Sequence, residues 1–192
     1  MFTQVAAKKT TNWLVQGGSV AEEDREVYEF GLDKLFSTLI NFLFAIGFGL
    51  LFGIPAQTLA FYVTYSALRV YAGGYHAEKP LTCFSVSISV LIPCLVAIRF
   101  YQAWNVSVVF YGLLGLGIIT LVALGPVEHK NKMLDDVEKE VYRDRLHRNL
   151  TIISVGAIVL TLFSLDVYAV AVLIGVSLSA ITAAIGKVKP LL

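Results

Sequence analysis

In this chain of 192 residues, 57% are apolar and 15% are charged, and the mean hydropathy is +0.73. An average soluble domain carries about 25% charged residues, so an ordinary water-soluble globule is excluded. The 15 basic and 14 acidic side chains nearly cancel, which excludes the global positive field of a nucleic-acid-binding chain.

Residues 1–34 form a polar prelude. Phe2, Val5, Ala6, Trp13, Leu14 and Val15 with Lys8 and Lys9 between them predict an amphipathic helix resting on a membrane interface, the alternative being a tail without fixed structure. Gly17-Gly18-Ser19 breaks that helix. Ser19 and Glu22 then have the spacing of a capping box, opening an acidic second helix that feeds into the first apolar run.

Six apolar runs follow, at residues 35–53, 55–70, 84–101, 106–125, 150–165 and 167–186. Each approaches the roughly 20 residues that cross about 30 Å of hydrocarbon. The second is the weakest, being short and holding Gln57, Thr58, Thr64, Tyr65 and Ser66. Positive flanks stay in the cytoplasm, and with six spans only Arg99 of the 15 basic residues falls on the other side. The expected architecture is therefore an all-α polytopic membrane protein: a cytoplasmic segment 1–34, a six-helix domain 35–186 and a cytoplasmic tail 187–192, in the plasma membrane. A long polar stretch precedes the first run, so a span rather than a cleaved leader is expected to direct insertion.

Within the spans, Gly49 and Gly53 have the GxxxG spacing of close helix contact, read first as packing inside the bundle and second as a homodimer face. Pro93 predicts a kink in the third span. The loop 126–149 mixes six basic with six acidic residues. It reads either as an anchor on an anionic leaflet or as a partly helical docking surface for an acidic peptide, with Lys130 and Lys132 as candidate contacts.

Chemistry concentrates at 69–83, where Arg69 closes a span and Gly73-Gly74, His76, Glu78, Pro80 and Cys83 follow. A thiol is a strong nucleophile only as thiolate, and a nearby imidazole can take its proton. A loop through Gly73 and Gly74, with Pro80 opening the next helix and Cys83 in its first turn, would bring the two together and set the thiol at the positive end of a helix dipole. The plainer reading is an inert thiol beside a polar interfacial histidine. His129 and His147 lie in a different loop and no HExxH occurs, so no metal or cofactor is expected. Cys83 and Cys94 do not make a disulfide framework and read as free thiols. The spans hold almost no ionisable groups, which argues against an ion-coupled transporter.

The run Arg69…Gly73-Gly74-Tyr75-His76-Ala77…Cys83, followed two spans later by Gly125-Pro126-Val127-Glu128-His129-Lys130-Asn131-Lys132, resembles the accessory gene regulator B (AgrB) family of bacterial membrane peptidases. The similarity extends to size, six-span layout and the basic loop after the fourth span. It implies a cysteine endopeptidase that cuts an amphipathic AgrD-like propeptide of a quorum-sensing signal and helps cyclise it. On that resemblance Cys83 is the nucleophile and His76 the general base, with Arg69 and Gly74 supporting; Gly73 and Gly74 amides are candidate oxyanion donors and Glu78 a candidate partner for His76. The alternative from another class is a non-catalytic membrane scaffold or peptide exporter.

Overall fold

The computed structural model describes residues 2–74, 80–104, 107–127 and 134–188, with side chains except at 80, 81, 83, 102–104 and 107–110. The fold is all-α. Its helices are α1 (Phe2–Gln16), α2 (Arg25–Leu51), α3 (Pro55–Ala72), α4 (Pro80–Trp104), α5 (Ser107–Leu124), α6 (Asp136–Leu162) and α7 (Asp166–Val188), with a 3₁₀ turn at Glu22–Asp24 before α2. Two compact units result, Met1–Ala45 and Ile46–Leu192.

In the first unit, α1 turns Ala7 and Thr11 inward while Phe2, Val5 and Trp13 stay exposed, Phe2 at 81%. A helix in water would reverse that preference. The break falls where the glycines predict it: Gly18 has φ 69°, and Ser19 N–H donates to the Leu14 carbonyl at 3.0 Å. The Ser19–Glu22 capping box does not form. Ala21 precedes the 3₁₀ turn without any side-chain cap, because the Glu22 carboxylate is held by Arg25, whose Nε and Nη2 donate to it at 2.6 and 2.8 Å. A capping box does occur further on, at Asp135 and Glu138, where α6 begins.

The acidic stretch and the first apolar run are one continuous helix, α2. Gly53 lies beyond its end, in a turn at φ 71° with open space around it, so the expected Gly49/Gly53 helix face is not built. Gly49 alone makes the close approach: a Cβ there would lie 2.8 Å from the Thr58 Cβ of α3. The glycine thus serves packing between neighbouring helices in the bundle.

The second unit is organised around α7. That helix buries Ala169, Ala171, Gly175, Ser179, Ala180 and Ala183, and it packs against α3, α4, α5 and α6. Small side chains let backbones approach where lipid gives helices no hydrophobic drive to associate. A Cβ on Gly175 would sit 3.0 Å from the Phe61 carbonyl, and one on Gly117 3.3 Å from Val176. Buried hydroxyls turn back on their own helices, as Thr58 does to the Ile54 carbonyl at 2.8 Å and Ser179 to that of Gly175 at 2.9 Å. Helix α4 runs through Pro93 without a break.

Among the described residues, three helical stretches are long and apolar enough to cross a membrane, Glu22–Leu51, Phe84–Tyr101 and Asp166–Val188, and Tyr111–Leu124 is a shorter apolar helix. The expected second span, 55–70, is helical within α3, but its polar side chains dilute its hydropathy. The expected fifth is the apolar second half of α6, whose first half carries the charge. That second half exposes Ile152, Val155, Ile158 and Leu162, the last at 77%. So large an apolar surface needs lipid rather than water around it. The chain is a membrane protein.

Candidate functional site

Helix α3 ends in a turn that only glycine can make. Gly73 caps the helix by donating its N–H to the Arg69 carbonyl at 3.2 Å. Its φ of 70° and that of Gly74, 120°, lie where residues with a Cβ are strained. Space forbids a side chain as firmly as the dihedrals do. A Cβ on Gly73 would strike the Val127 carbonyl, and one on Gly74 would lie 2.6 Å from the Thr182 carbonyl and also strike the Arg69 guanidinium.

These collisions describe what holds the turn. Val127 N–H donates to the Ala72 carbonyl at 2.8 Å, and Gly73 and Val127 form an isolated parallel β-bridge. The Arg69 side chain folds over the turn and donates from Nη1 to the Gly73 carbonyl. Two segments far apart in sequence, the Gly-Gly pair and the Gly125-Pro126-Val127 run, are thus joined through their backbones. Beneath them Leu68, Ala72, Leu121, Val127, Leu146, Leu150, Val176, Ala180 and Ala183 make one buried cluster. Gly125 is itself confined, since a Cβ on it would lie 2.5 Å from Leu146.

Of the residues singled out in sequence, Arg69, Gly73 and Gly74 therefore come together at this turn. The Gly73 amide donates to the Arg69 carbonyl, and in the parallel bridge the Gly74 amide faces the Val127 carbonyl. Helix α4 starts at Pro80, which puts the backbone of Cys83 in its first turn. His76, Glu78, Lys130 and Lys132 lie outside the described residues. Cys94 is a free cysteine in the middle of α4.

Several residues at the turn escape a reading by sequence. Thr182 of α7 backs Gly74 with its carbonyl. Tyr71 meets Tyr142 of α6 edge-on, with ring centroids 5.6 Å apart, and the Arg145 guanidinium lies 5.9 Å from the Tyr71 ring centre. Asn149 Nδ2 donates to the Ala67 carbonyl at 3.2 Å. The signal available beforehand was that Tyr142, Arg145 and Asn149 recur at three and four residues, on one helical face.

The chain is similar to known proteins. The accessory gene regulator B family matches residues 7–183. An AgrB-like protein of Clostridium perfringens strain SM101 is 33% identical over 123 residues, 62% of this chain and 58% of that protein. An AgrB-like protein of Listeria monocytogenes strain EGD-e is 25% identical over 143 residues, 73% of this chain and 66% of that protein. Accessory gene regulator protein B of Staphylococcus carnosus is 33% identical over 75 residues, 36% of this chain and 39% of that protein. The chain thus spans about three fifths of the length of the Clostridium relative it matches. No solved structure matches it. Because the family match runs from the middle of α1 into the last turns of α7 and takes in both the glycine turn and the start of α4, the chain belongs to the accessory gene regulator B family.

Proposed function

We propose that this chain is a six-span cysteine endopeptidase of the plasma membrane, with both termini and the active site on the cytoplasmic side, that removes the C-terminal tail of an AgrD-like amphipathic propeptide and promotes its cyclisation. The observation that carries the reading is the turn at Gly73 and Gly74. It is fixed by Arg69, Val127 and Thr182 shortly before Pro80 opens α4, whose first turn holds Cys83. Family membership adds weight, as does the placement of the basic residues.

The chemistry follows from the residue types. His76 takes the proton of Cys83, and the thiolate, favoured by the α4 N-terminus, attacks a peptide carbonyl of the propeptide. The C–N bond breaks, the proton held by His76 passes to the leaving amine, and an acyl thioester on Cys83 remains. A thiol or hydroxyl earlier in the same peptide then attacks that thioester, expelling the Cys83 sulfur and closing a thiolactone or lactone. Exclusion of water at the rim of the bilayer favours this intramolecular attack over hydrolysis. Glu78 orients the imidazole, and Lys130 and Lys132 engage the acidic tail of the substrate.

Co-expression with the propeptide tests this. Cys83→Ala and His76→Ala should each abolish release of the tail while the protein still accumulates in the membrane. Unchanged cleavage in either variant removes the proposed roles. Peptide leaving the cell uncut, yet dependent on this chain, would instead favour a scaffold or exporter.

A further inference from the structure

We infer that the charged first half of α6 is a positioning strut for the glycine turn, acting through Tyr142 and Arg145 on Tyr71. The inference rests on the reading above, in that the turn is taken to carry His76 toward Cys83. Anchoring on anionic lipid would give the basic residues of α6 one common role. The structure separates them. Arg143, Arg145 and Arg148 are all exposed, but Arg145 lies against the Tyr71 ring, 5.9 Å from its centre, and Tyr142 meets the same ring at 5.6 Å with planes 73° apart.

Tyr71 stands two residues before Gly73, in the last turn of α3, where a helix end frays unless it is held. The strut holds it at three successive levels. Tyr142 and Arg145 grip the Tyr71 ring, Leu146 is fully buried beside Gly125, and Asn149 donates to the Ala67 carbonyl one turn further back. Helix α6 is in turn fixed at its start by the Asp135–Glu138 capping box. The contacts of α6 therefore converge on the residues from which the turn departs. Among the described residues these contacts run to Tyr71, Ala67 and Gly125, so Tyr142 and Arg145 are positioning residues rather than catalytic ones.

The test is the rate at which iodoacetamide alkylates Cys83 and Cys94 in the full-length chain in nanodiscs, followed by mass spectrometry from mildly acidic to mildly alkaline pH. Cys94 serves as the internal measure of folding. With His76 in place, Cys83 of the parent should react faster than Cys94 near neutral pH. Tyr142→Ala should slow Cys83 about fivefold, the worth of an aromatic pair, and move its pH profile toward that of His76→Ala. Arg145→Gln should slow it about threefold, and Tyr142→Phe, which keeps the ring, should match the parent. Cys94 should be unaffected throughout. If Cys94 accelerates in Tyr142→Ala the fold has been lost, and Arg145→Gln, at an exposed position, decides. A fast parent and a slow His76→Ala, with Tyr142→Ala and Arg145→Gln both at the parental rate, overturns the strut alone. A parent no faster than His76→Ala overturns the strut together with the dyad on which it rests.

Discussion

Replacing Gly73 by alanine separates what the turn owes to its dihedral from what it owes to its neighbours. Gly53 is a control at nearly the same φ, 71° against 70° at Gly73, with nothing within 4 Å of where its Cβ would be, while Gly73 also has ψ −151°, a region essentially confined to glycine. Forcing a Cβ into the left-handed turn of Gly53 costs roughly 1–2 kcal/mol, and Gly53→Ala should show that penalty alone. At Gly73 the new Cβ also strikes the Val127 carbonyl. The two strands must part, and the Val127 N–H to Ala72 bond is lost at roughly 0.5–1.5 kcal/mol net. Gly73→Ala should therefore be at least about 1 kcal/mol less stable than Gly53→Ala, measured as the difference in unfolding free energy in a mixed micelle. Cleavage of the co-expressed propeptide should fall at least about fivefold in Gly73→Ala, since about 1 kcal/mol against the closed turn is roughly a factor of five, and stay near parental in Gly53→Ala. If the two variants unfold together and cleave alike, the backbone bridge to Val127 contributes nothing and the site has been drawn in the wrong place.

Two further outcomes follow from the packing and the exposed faces. Gly49→Ala should destabilise the chain by roughly 1–3 kcal/mol through overpacking against Thr58, and Thr58→Ala in the same chain should recover part of the loss; equal losses in the single and double variants would refute the contact. In a Trp104→Phe chain in nanodiscs, Trp13 is the remaining tryptophan, and lipids brominated near the headgroup should quench it more than lipids brominated deep in the acyl chain. Absence of quenching would deny that the exposed face of α1 lies on the bilayer.

Much of the fold was legible because periodicity and punctuation are local. The apolar runs marked α2 through α7, the Gly17-Gly18 pair marked the end of α1, and Pro80 marked the start of α4. Where the reading went astray, a partner outside the local window had intervened. Glu22 has capping-box spacing from Ser19 but is held by Arg25, and Gly53 keeps GxxxG register only if the helix continues past Leu51, which it does not. The site was half legible. A Gly-Gly pair after a helix announces a turn, but nothing in the residues around 73 says that Val127 and Thr182 close on it. The meeting of Tyr71 with Tyr142 is likewise a product of how α3 and α6 pack.

The glycine turn is less a loop feature than the last rung of the α3–α7 interface. Along α7, Gly175, Ser179 and Thr182 succeed one another at four and three residues, and each meets α3 or its exit. Gly175 abuts the Phe61 carbonyl and Thr64, Ser179 Oγ lies 3.5 Å from the Tyr65 carbonyl, and the Thr182 carbonyl closes on Gly74. At 1.5 Å rise per residue these contacts span about 10 Å of α7. Without a hydrophobic drive between helices in lipid, the separation of the pair is set by the size of the side chains between them. The small residues along this seam therefore fix how far the Thr182 carbonyl stands from Gly74. A site built this way takes its precision from the bundle, as a turn held at its departure by α6, at its bridge by Val127 and at its back by α7 has little freedom left to its own backbone.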